Sequence, residues 1–254
     1  MNYPDLRKGD NLPAVGVLQQ LLNRTGGSLT PDGIFGPKTF AAVRDLQLAR
    51  KLEPDGIVGQ KTWERLTNGL SLPILDSIDV WDPTFLKEDA AYIRRVGGSP
   101  LLVGGMCNGV EQVVSQLSGW SNVFLLRFHG HGAPGVASTS TGHGELDPKM
   151  RERGDIWNNQ TIIKTLGRLA TTFGPYGCIE FIECQTGAGT SGRTLLRKLA
   201  DQTGVPVTGA VHDQPFGKRW SFRLSGPTVT VVPGGGNLST WCKLLPPFPG
   251  ACAA

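Results

Sequence analysis

Two short apolar runs, 125–132 and 179–187, each deliver reactive side chains to a glycine-rich loop. The first ends in His-Gly-His-Gly and the second in Cys-Gln-Thr-Gly, so that His131 and Cys184 lie 53 positions apart. Both runs predict buried β-strands, and open α/β sheets carry their active sites at the carboxyl ends of their strands. A thiol is a weak nucleophile until it ionises, and a nearby imidazole can accept that proton. The pattern therefore predicts acyl transfer through a thioester, with Cys184 as the nucleophile and His131 as its acid-base partner.

This pair of runs resembles the caspase-like cysteine peptidases, which carry a His-Gly at the end of one strand and a Cys at the end of the next. The spacing fits that family, whereas the run Ile-Glu-Cys-Gln-Thr-Gly matches its signature only in part. The resemblance covers about 120–225 and includes the run 189–210, which is similar to a helix and strand of bacterial members. It implies a cysteine endopeptidase with a caspase-like α/β domain.

Two histidines compete for the catalytic role. His129 stands at the predicted strand end, and His131 lies two residues into the loop. Bacterial relatives resemble Gly-His-Gly-x-Pro-Gly at this point, which favours His131 and leaves His129 as the alternative. Because glycine lets a carbonyl approach closely, the N–H groups of Gly132 and Cys184 are the predicted oxyanion donors.

Further groups are expected to support the thiol. The glycine-rich turn 187–192 opens a predicted helix, whose N-terminal dipole favours a thiolate. Glu180 and Glu183 are expected to face the same side of the Cys strand. A carboxylate such as Glu183 could orient the imidazole there, or it could instead form a salt bridge with Arg127.

Strands alternate with helices around these two runs. Helices are expected at 84–95, 109–118, 160–173 and 190–203, and strands at 100–103, 122–128, 178–183 and 205–211. The segment 220–232 predicts a hairpin at a sheet edge. This alternation is typical of a mainly parallel sheet with helices on both faces.

The first seventy residues contain a repeat. Pro-Asp-Gly-Ile-Phe-Gly at 31–36 returns as Pro-Asp-Gly-Ile-Val-Gly at 54–59, a period of 23, and each copy opens a helix. A third helix upstream, marked by the apolar residues of 15–22, completes a small three-helix bundle. In each copy the Asp-Gly pair predicts a tight turn.

The segment from Leu6 to Leu66 resembles the peptidoglycan-binding domain found at the ends of many bacterial wall hydrolases. That resemblance implies binding of glycan-peptide wall material in a shallow groove near the two turns. The residues placed to contribute are Asp32, Phe35, Asp55 and Trp63. Each of them has an alternative role in the core or in the architecture of its turn.

Two other functions use the same residues. His129 and His131 could bind zinc together with a third ligand, and peptidoglycan-binding domains accompany zinc peptidases of the wall. The candidates for that third ligand are His143, His212 and Asp213. No His-Glu-x-x-His run supports a zinc-dependent wall peptidase or amidase. The other alternative is a non-catalytic wall-binding protein that keeps a caspase-like domain.

These observations predict a two-domain chain. Residues 1–70 form the all-α peptidoglycan-binding domain, 71–84 form an ordered connector, and 85–254 form the caspase-like α/β domain. The connector mixes Pro, Asp and apolar residues without a sustained period, and it is too apolar for a free tether. No confident element is expected after residue 233.

Composition and charge limit the classes of partner that are expected. The 254 residues carry a net charge of +4 without a basic run, so nucleic acid and membrane surfaces are not expected partners, whereas peptidoglycan and a peptide or protein substrate are. If the others pair within the chain, five cysteines leave one free thiol, which we assign to Cys184, and the alternative is five reduced thiols, several of them core residues. We expect no cofactor, and the oligomeric state stays open. The peptidoglycan-binding resemblance implies a periplasmic or cell-wall protein. Because the N-terminus lacks the apolar core of a Sec signal, we expect delivery by a specialised secretion system or a leader that this sequence does not contain.

Overall fold

The computed structural model describes residues 2–68, 70–80, 86–104, 108–139, 154–215 and 222–248. These residues divide into two compact units, one drawn from 1–71 and 236–254 and the other from 72–235. Across these described ranges, every helix is too short or too polar to cross a membrane.

The first unit is helical at its N-terminal end, as the sequence predicts. Its helices are α1 (Pro13–Arg24), α2 (Pro37–Ala49) and α3 (Gln60–Thr67). Proline begins both α1 and α2, where its fixed φ suits the first helical position and its missing N–H removes no hydrogen bond. The apolar faces meet in a core that contains Val15, Leu18, Leu22, Val43 and Leu66.

The second unit contains a six-stranded sheet that joins distant parts of the chain. Its strands are β1 (Ile74–Asp79), β2 (Leu101–Val103), β3 (Val123–His129), β7 (Phe173–Ile182), β8 (Val207–Ala210) and β9 (Thr228–Val231). They lie in the order β2-β1-β3-β7-β8-β9. The pairings from β2 to β8 are parallel and β9 is antiparallel to β8, so the predicted mainly parallel sheet is confirmed.

Helices pack on both faces of this sheet. The helices of the second unit are α4 (Leu86–Arg95), α5 (Gly109–Leu117), α6 (Gln160–Leu166) and α7 (Gly189–Thr203). The larger core joins α5, α6 and α7 to the face that carries Leu126, Phe128 and Phe181. The opposite face carries Ile78, which packs against Ala90 and Ile93 of α4. The predicted helix 160–173 is shorter than expected, because a 3-10 segment at Gly167–Thr171 ends it and β7 begins at Phe173.

A small antiparallel sheet follows the histidine strand. Its strands are β4 (Gly132–Ala133), β5 (Val136–Ser138) and β6 (Asp155–Trp157). This sheet was not predicted from the sequence. Of the predicted edge hairpin at 220–232, β9 is present, and residues 220–221 lie outside the described part of the chain.

The structure differs from the sequence analysis at the predicted connector. Residues 74–79 form β1, which lies between β2 and β3 inside the sheet and is buried along most of its length. The strand was missed because Asp76, Ser77 and Asp79 interrupt its apolar pattern. Asp76 and Asp79 are buried with polar partners supplied by other strands.

The structure also differs at the C-terminal end. A last helix, α8 (Leu238–Lys243), packs against α1 of the first unit, whereas the sequence analysis assigned 236–248 to the second domain. Gly16 makes this packing possible, because a Cβ at that position would lie only 2.5 Å from the sulfur of Cys242. The amide of Gln20 also donates to the Leu245 carbonyl at 3.1 Å.

Candidate functional site

The two reactive runs leave the sheet side by side. Strands β3 and β7 are parallel neighbours, and their last residues, His129 and Ile182, are paired in register. His131 and Cys184 are each two residues beyond those strand ends. Both loops therefore leave the sheet at the same edge, as the sequence predicts for an open α/β sheet.

The two loops are in direct contact. A Cβ added to Gly132 would collide with the Cys184 carbonyl oxygen and would lie 2.6 Å from Thr186 Oγ1, so the absence of a side chain allows the approach. The Gly135 N–H donates to the Thr186 carbonyl at 3.3 Å. The His131 carbonyl accepts the Ser138 N–H at 2.8 Å, which fixes the loop to β5. The role of Gly132 as an oxyanion donor stays a prediction.

The Cys184 thiol is half-buried and receives a backbone donor. The Gln214 N–H points at the sulfur with a nitrogen–sulfur distance of 3.3 Å. The Gln214 side chain fixes this loop, because its amide donates to the Ser225 carbonyl at 3.0 Å and accepts the Ser225 N–H at 2.7 Å. The Gln214 carbonyl oxygen also lies 4.0 Å from the same sulfur, where it can accept the thiol proton. Gln214 was not predicted from the sequence, because only the fold brings it to Cys184.

The turn after Cys184 leads directly into α7. Gln185 adopts a left-handed backbone with φ of 54°, and its amide donates to Asp213 Oδ1 at 2.8 Å. Gly192, in the first turn of α7, lies against the backbone of Gly187 with no room for a Cβ. The positive end of the α7 dipole therefore lies beside the turn that carries the thiol.

His129 is buried in a network of charges. Its Nε2 lies 2.9 Å from Asp76 Oδ1, and its Nδ1 lies 3.6 Å from Asp89 Oδ2. The guanidinium of Arg127 donates to the same Asp76 carboxylate at 2.6 and 3.2 Å. Burial alone lowers the pKa of His129, but the hydrogen bonds and charges of Asp76 and Asp89 outweigh it and raise that pKa above its ordinary value. Arg127 and His129 likewise hold the pKa of Asp76 well below its usual range despite burial.

This network separates the two histidines. His129 is fully buried and committed to aspartates, so it is not available to a thiol or a metal ion. His131 is half-buried in the loop that contacts the Cys184 turn. Burial therefore favours His131 as the acid-base residue and assigns His129 to the support of the strand end.

Glu183 differs from its predicted environment. Glu180 is paired in register with Arg127, whereas Glu183 lies near Asp79, Asp155 and Thr186. The two glutamates do not share a side, because residues three apart on an extended chain point to opposite faces. Burial, and then the charges of Asp155 and Asp79, raise the pKa of Glu183 well above its ordinary value. The carboxyl group packs under the histidine loop, where its Oε1 would lie 3.1 Å from a Cβ at Gly130.

The zinc alternative has little geometric support. Among the described residues, no three side chains of the metal-binding types converge on a common point. His212 is exposed, Asp213 accepts the amide of Gln185, and His143 lies outside the described part of the chain.

In the first unit, two buried glutamines build the two repeated turns. Gln19 of α1 donates to Asp32 Oδ1 at 2.8 Å and to the Ile34 carbonyl at 3.1 Å, and its oxygen accepts the Gly33 N–H at 3.0 Å. The Asp32 carboxylate also accepts the Ile34 N–H at 2.9 Å. Asp32 therefore has a structural role in its turn, which is the alternative that the sequence left open.

Gln47 of α2 repeats this pattern at the second turn. Its amide donates to Asp55 Oδ1 at 3.0 Å and to the Ile57 carbonyl at 2.9 Å, and its oxygen accepts the Gly56 N–H at 2.9 Å. Both glutamines follow a leucine, a signal that could have revealed them. The 23-residue repeat does not include these glutamines, because Gln19 lies 13 residues before Asp32 and Gln47 lies 8 residues before Asp55.

The two aromatic candidates of this unit are core residues. Phe35 and Trp63 are 1% and 0% exposed. The Trp63 Nε1 donates to the Pro4 carbonyl at 2.8 Å, and its ring stacks on Tyr3 with centroids 5.4 Å apart. The structure therefore assigns both rings to packing, and neither presents a face to a glycan.

Comparison with protein families finds one match, within the first unit. Residues 11–66 match the family described as putative peptidoglycan binding domain. The family match covers the two turns and the helices that flank them. The description of that family supports peptidoglycan as the partner of this segment. No curated protein sequence matches the chain.

Several solved structures contain a similar segment. A peptidoglycan-binding protein from Clostridioides difficile, in complex with glutamine hydroxamate, is 35% identical over 26% of this chain and 41% of that one, with a TM-score of 0.25. A fused Zn-dependent amidase/peptidase/peptidoglycan-binding domain-containing protein from Clostridium acetobutylicum is 38% identical over 25% and 29%, with a TM-score of 0.24. The SleB N-terminal domain is 30% identical over 28% and 97%, with a TM-score of 0.26. The chain thus spans less than half the length of the first two proteins.

Proposed function

We propose that this chain is a bacterial wall-targeted cysteine endopeptidase, in which the second unit cleaves substrate with Cys184 and His131. The observation that carries the proposal is the contact between two loops at one sheet edge, where Gly132 lies against the Cys184 carbonyl. The Gln214 N–H aimed at the sulfur and the adjacent start of α7 both support a thiolate. The caspase-like family resembled by these residues uses the same pair of groups.

The reaction begins with the Cys184 thiolate. Its sulfur attacks the carbonyl carbon of the scissile amide, a C–S bond forms, and the C=O electron pair moves onto oxygen. The N–H groups of Gly132 and Cys184 are the proposed donors to that oxyanion. As the oxyanion collapses, the C–N bond breaks and the His131 imidazolium protonates the departing amine.

Hydrolysis of the thioester completes the cycle. His131, now neutral, removes a proton from water as that water attacks the acyl carbon. The C–S bond then breaks, the acid product leaves, and the thiolate is regenerated beside the imidazolium. His129 does not enter this scheme, because both of its nitrogens face buried aspartates.

The peptidoglycan-binding domain supplies location. A modest affinity for the wall raises the local concentration of the second unit near wall-associated substrates, without any change in the chemical step. Loss of this domain is expected to lower activity on wall-associated substrates far more than on soluble peptides.

The test is a search for new amino termini. The full chain is incubated separately with purified peptidoglycan and with a proteome-derived peptide library, and the products are identified by mass spectrometry. Cys184→Ala and His131→Ala are expected to abolish the new termini. Thr194→Ala, at a half-buried position of α7 whose hydroxyl donates to the Thr190 carbonyl of the same helix, is the control and is expected to leave them unchanged.

Three outcomes would contradict the proposal. Cleavage that survives Cys184→Ala would exclude the thiol as nucleophile. Cleavage that is lost on chelation and restored by zinc would favour the zinc-dependent wall peptidase or amidase. An absence of new termini with both substrates, while the chain still binds peptidoglycan, would favour a non-catalytic wall-binding protein.

A further inference from the structure

The two repeats of the peptidoglycan-binding domain differ in how the preceding helix ends. Helix α1 ends with a hydrogen bond from the Gly27 N–H to the Leu22 carbonyl at 3.1 Å, and Gly26 takes the left-handed position with φ of 101°. Helix α2 ends in the same pattern, with a bond from the Leu52 N–H to the Gln47 carbonyl at 2.8 Å. The left-handed position there is occupied by Lys51, with φ of 56°.

A lysine at this position is unfavourable for the fold. Glycine is the usual residue at a left-handed helix C-terminus, because a Cβ is strained there. A residue held in such a conformation points to a use for its side chain. The first repeat, which has glycine, shows that the motif itself does not require lysine.

Lys51 lies on a groove beside the second turn. This groove has a volume of about 380 Å³, and its lining includes Lys51, Glu53, Ile57 and Lys61. Each glutamine holds the turn of its repeat. Lys51 follows Gln47 by four residues, whereas Gly26 follows Gln19 by seven, and the end of the second helix is therefore nearer to the turn that its glutamine holds. Lys51, Glu53 and Lys61 are exposed, and Ile57 is 42% exposed and offers an apolar contact.

The charges of the groove indicate the chemistry of its ligand. Two ammonium groups suit a carboxylate, and Glu53 suits an amine. The carboxylate of Asp55, also in the lining, is already used by Gln47 and by the Ile57 N–H. None of the residues that line the groove is aromatic, so it lacks the flat apolar surface on which sugar rings stack. The peptide stems of peptidoglycan carry free carboxylates and amines, whereas the glycan chain carries few charges.

We infer that the second-repeat groove binds the peptide stem of peptidoglycan, with Lys51 and Lys61 holding its carboxylate. The inference rests on the wall binding of this domain and not on the peptidase chemistry of the second unit. The first repeat offers a matched control within the same chain, because Lys38 occupies the position of Lys61 at the start of the preceding helix.

The experiment measures binding of the full chain to purified peptidoglycan by co-sedimentation. Lys51→Gly and Lys61→Ala are each expected to weaken binding about fivefold, the scale of one partly exposed ion pair. Lys38→Ala is expected to bind like the wild type. Because glycine suits the left-handed position, Lys51→Gly is expected to keep or increase the hydrogen-exchange protection of residues 47–62, which separates lost binding from lost folding.

A soluble probe tests the carboxylate. Acetyl-Lys-D-Ala-D-Ala with a free C-terminus is expected to shift the NMR signals of Lys51 and Lys61, and its C-terminal amide is expected to leave them unchanged. Equal binding of acid and amide would overturn the inference. Wall binding that is retained in both lysine variants would also overturn it, while leaving the domain's function intact. Failure of the wild-type chain to sediment would overturn both.

Discussion

The two units bury their polar side chains in different ways. In the first, neutral amides hold the fold, and Gln19 and Gln47 each bond to the turn that follows them in the chain. In the second, charges from distant segments meet, and Asp76 contacts Arg127 at a separation of 51 positions and His129 at 53. Amides do not titrate, whereas a buried charge depends on pH and on every partner. The stability of the second unit should therefore depend more strongly on pH and on the loss of a partner than the glutamine contacts of the first unit do.

The largest effect is expected at Arg127. Arg127→Leu leaves Asp76 buried with one fewer cation and is expected to lower the free energy of unfolding of the second unit by about 3–5 kcal/mol. Urea denaturation followed by circular dichroism measures it. Asp76→Asn combined with Arg127→Leu is expected to recover part of the loss. Equal instability of the single and double variants would instead assign the loss to the packing of Arg127 on the Phe222 ring.

A smaller loss of stability is expected on substitution of Gln47. Gln47→Ala leaves the buried Gly56 N–H without its amide acceptor and is expected to cost about 1–3 kcal/mol. Hydrogen exchange of the turn at 54–59 in the full chain measures the local effect. Gln116→Ala removes one bond to the Leu102 carbonyl at an exposed position and serves as the control. A loss at Gln47 as large as the loss at Arg127 would contradict the contrast between the units.

His129 should make the stability of the second unit depend on pH. Its pKa is raised in the folded state, so its contribution is complete below the ordinary value of 6.5 and is lost as pH rises through the folded value. Denaturation between pH 6 and pH 9 is therefore expected to show falling stability in the wild type. His129→Gln, which does not titrate, is expected to flatten that dependence. An unchanged slope in this variant would show that another group is responsible.

The smallest effect is expected at Glu183. Its raised pKa means that the folded state holds a proton that the unfolded chain releases above about pH 4.5, so stability falls as pH rises above that value. Glu183→Gln removes this dependence and is expected to raise the melting temperature at pH 8 by about 2–4 °C, the shift produced by roughly 1 kcal/mol. A lower melting temperature would indicate that the ionised carboxylate is required.

The parts of the fold that the sequence predicts are those with local signals. The repeat at 31–36 and 54–59 predicts the turns and helices of the first unit, and the strand-helix alternation predicts the parallel sheet. Strand β1 and helix α8 lack such signals. The aspartates of β1 are buried only because Arg127, His129 and Ser138 reach them from other segments, and α8 packs because Gly16 leaves room for Cys242.

The candidate site, too, was predicted only where local sequence signals exist. Spacing and loop composition were sufficient to predict that His131 and Cys184 follow neighbouring strands, and the sheet order agrees with that expectation. They were not sufficient to separate His129 from His131, because that distinction depends on Asp76 and Asp89, which reach His129 only in the folded chain. The chemical partnership of His131 and Cys184 stays a prediction.

The rate of Cys184 alkylation tests that partnership most directly. Iodoacetamide labelling of the full chain, mapped by mass spectrometry at several pH values, compares Cys184 with the buried Cys178 and Cys242. The account predicts that near pH 7 Cys184 reacts faster than the same residue in the denatured chain, and that His131→Ala slows it about tenfold or more, because the imidazolium no longer stabilises the thiolate. A Cys184 rate in the folded wild type that equals the denatured rate, and that His131→Ala does not change, would contradict the account.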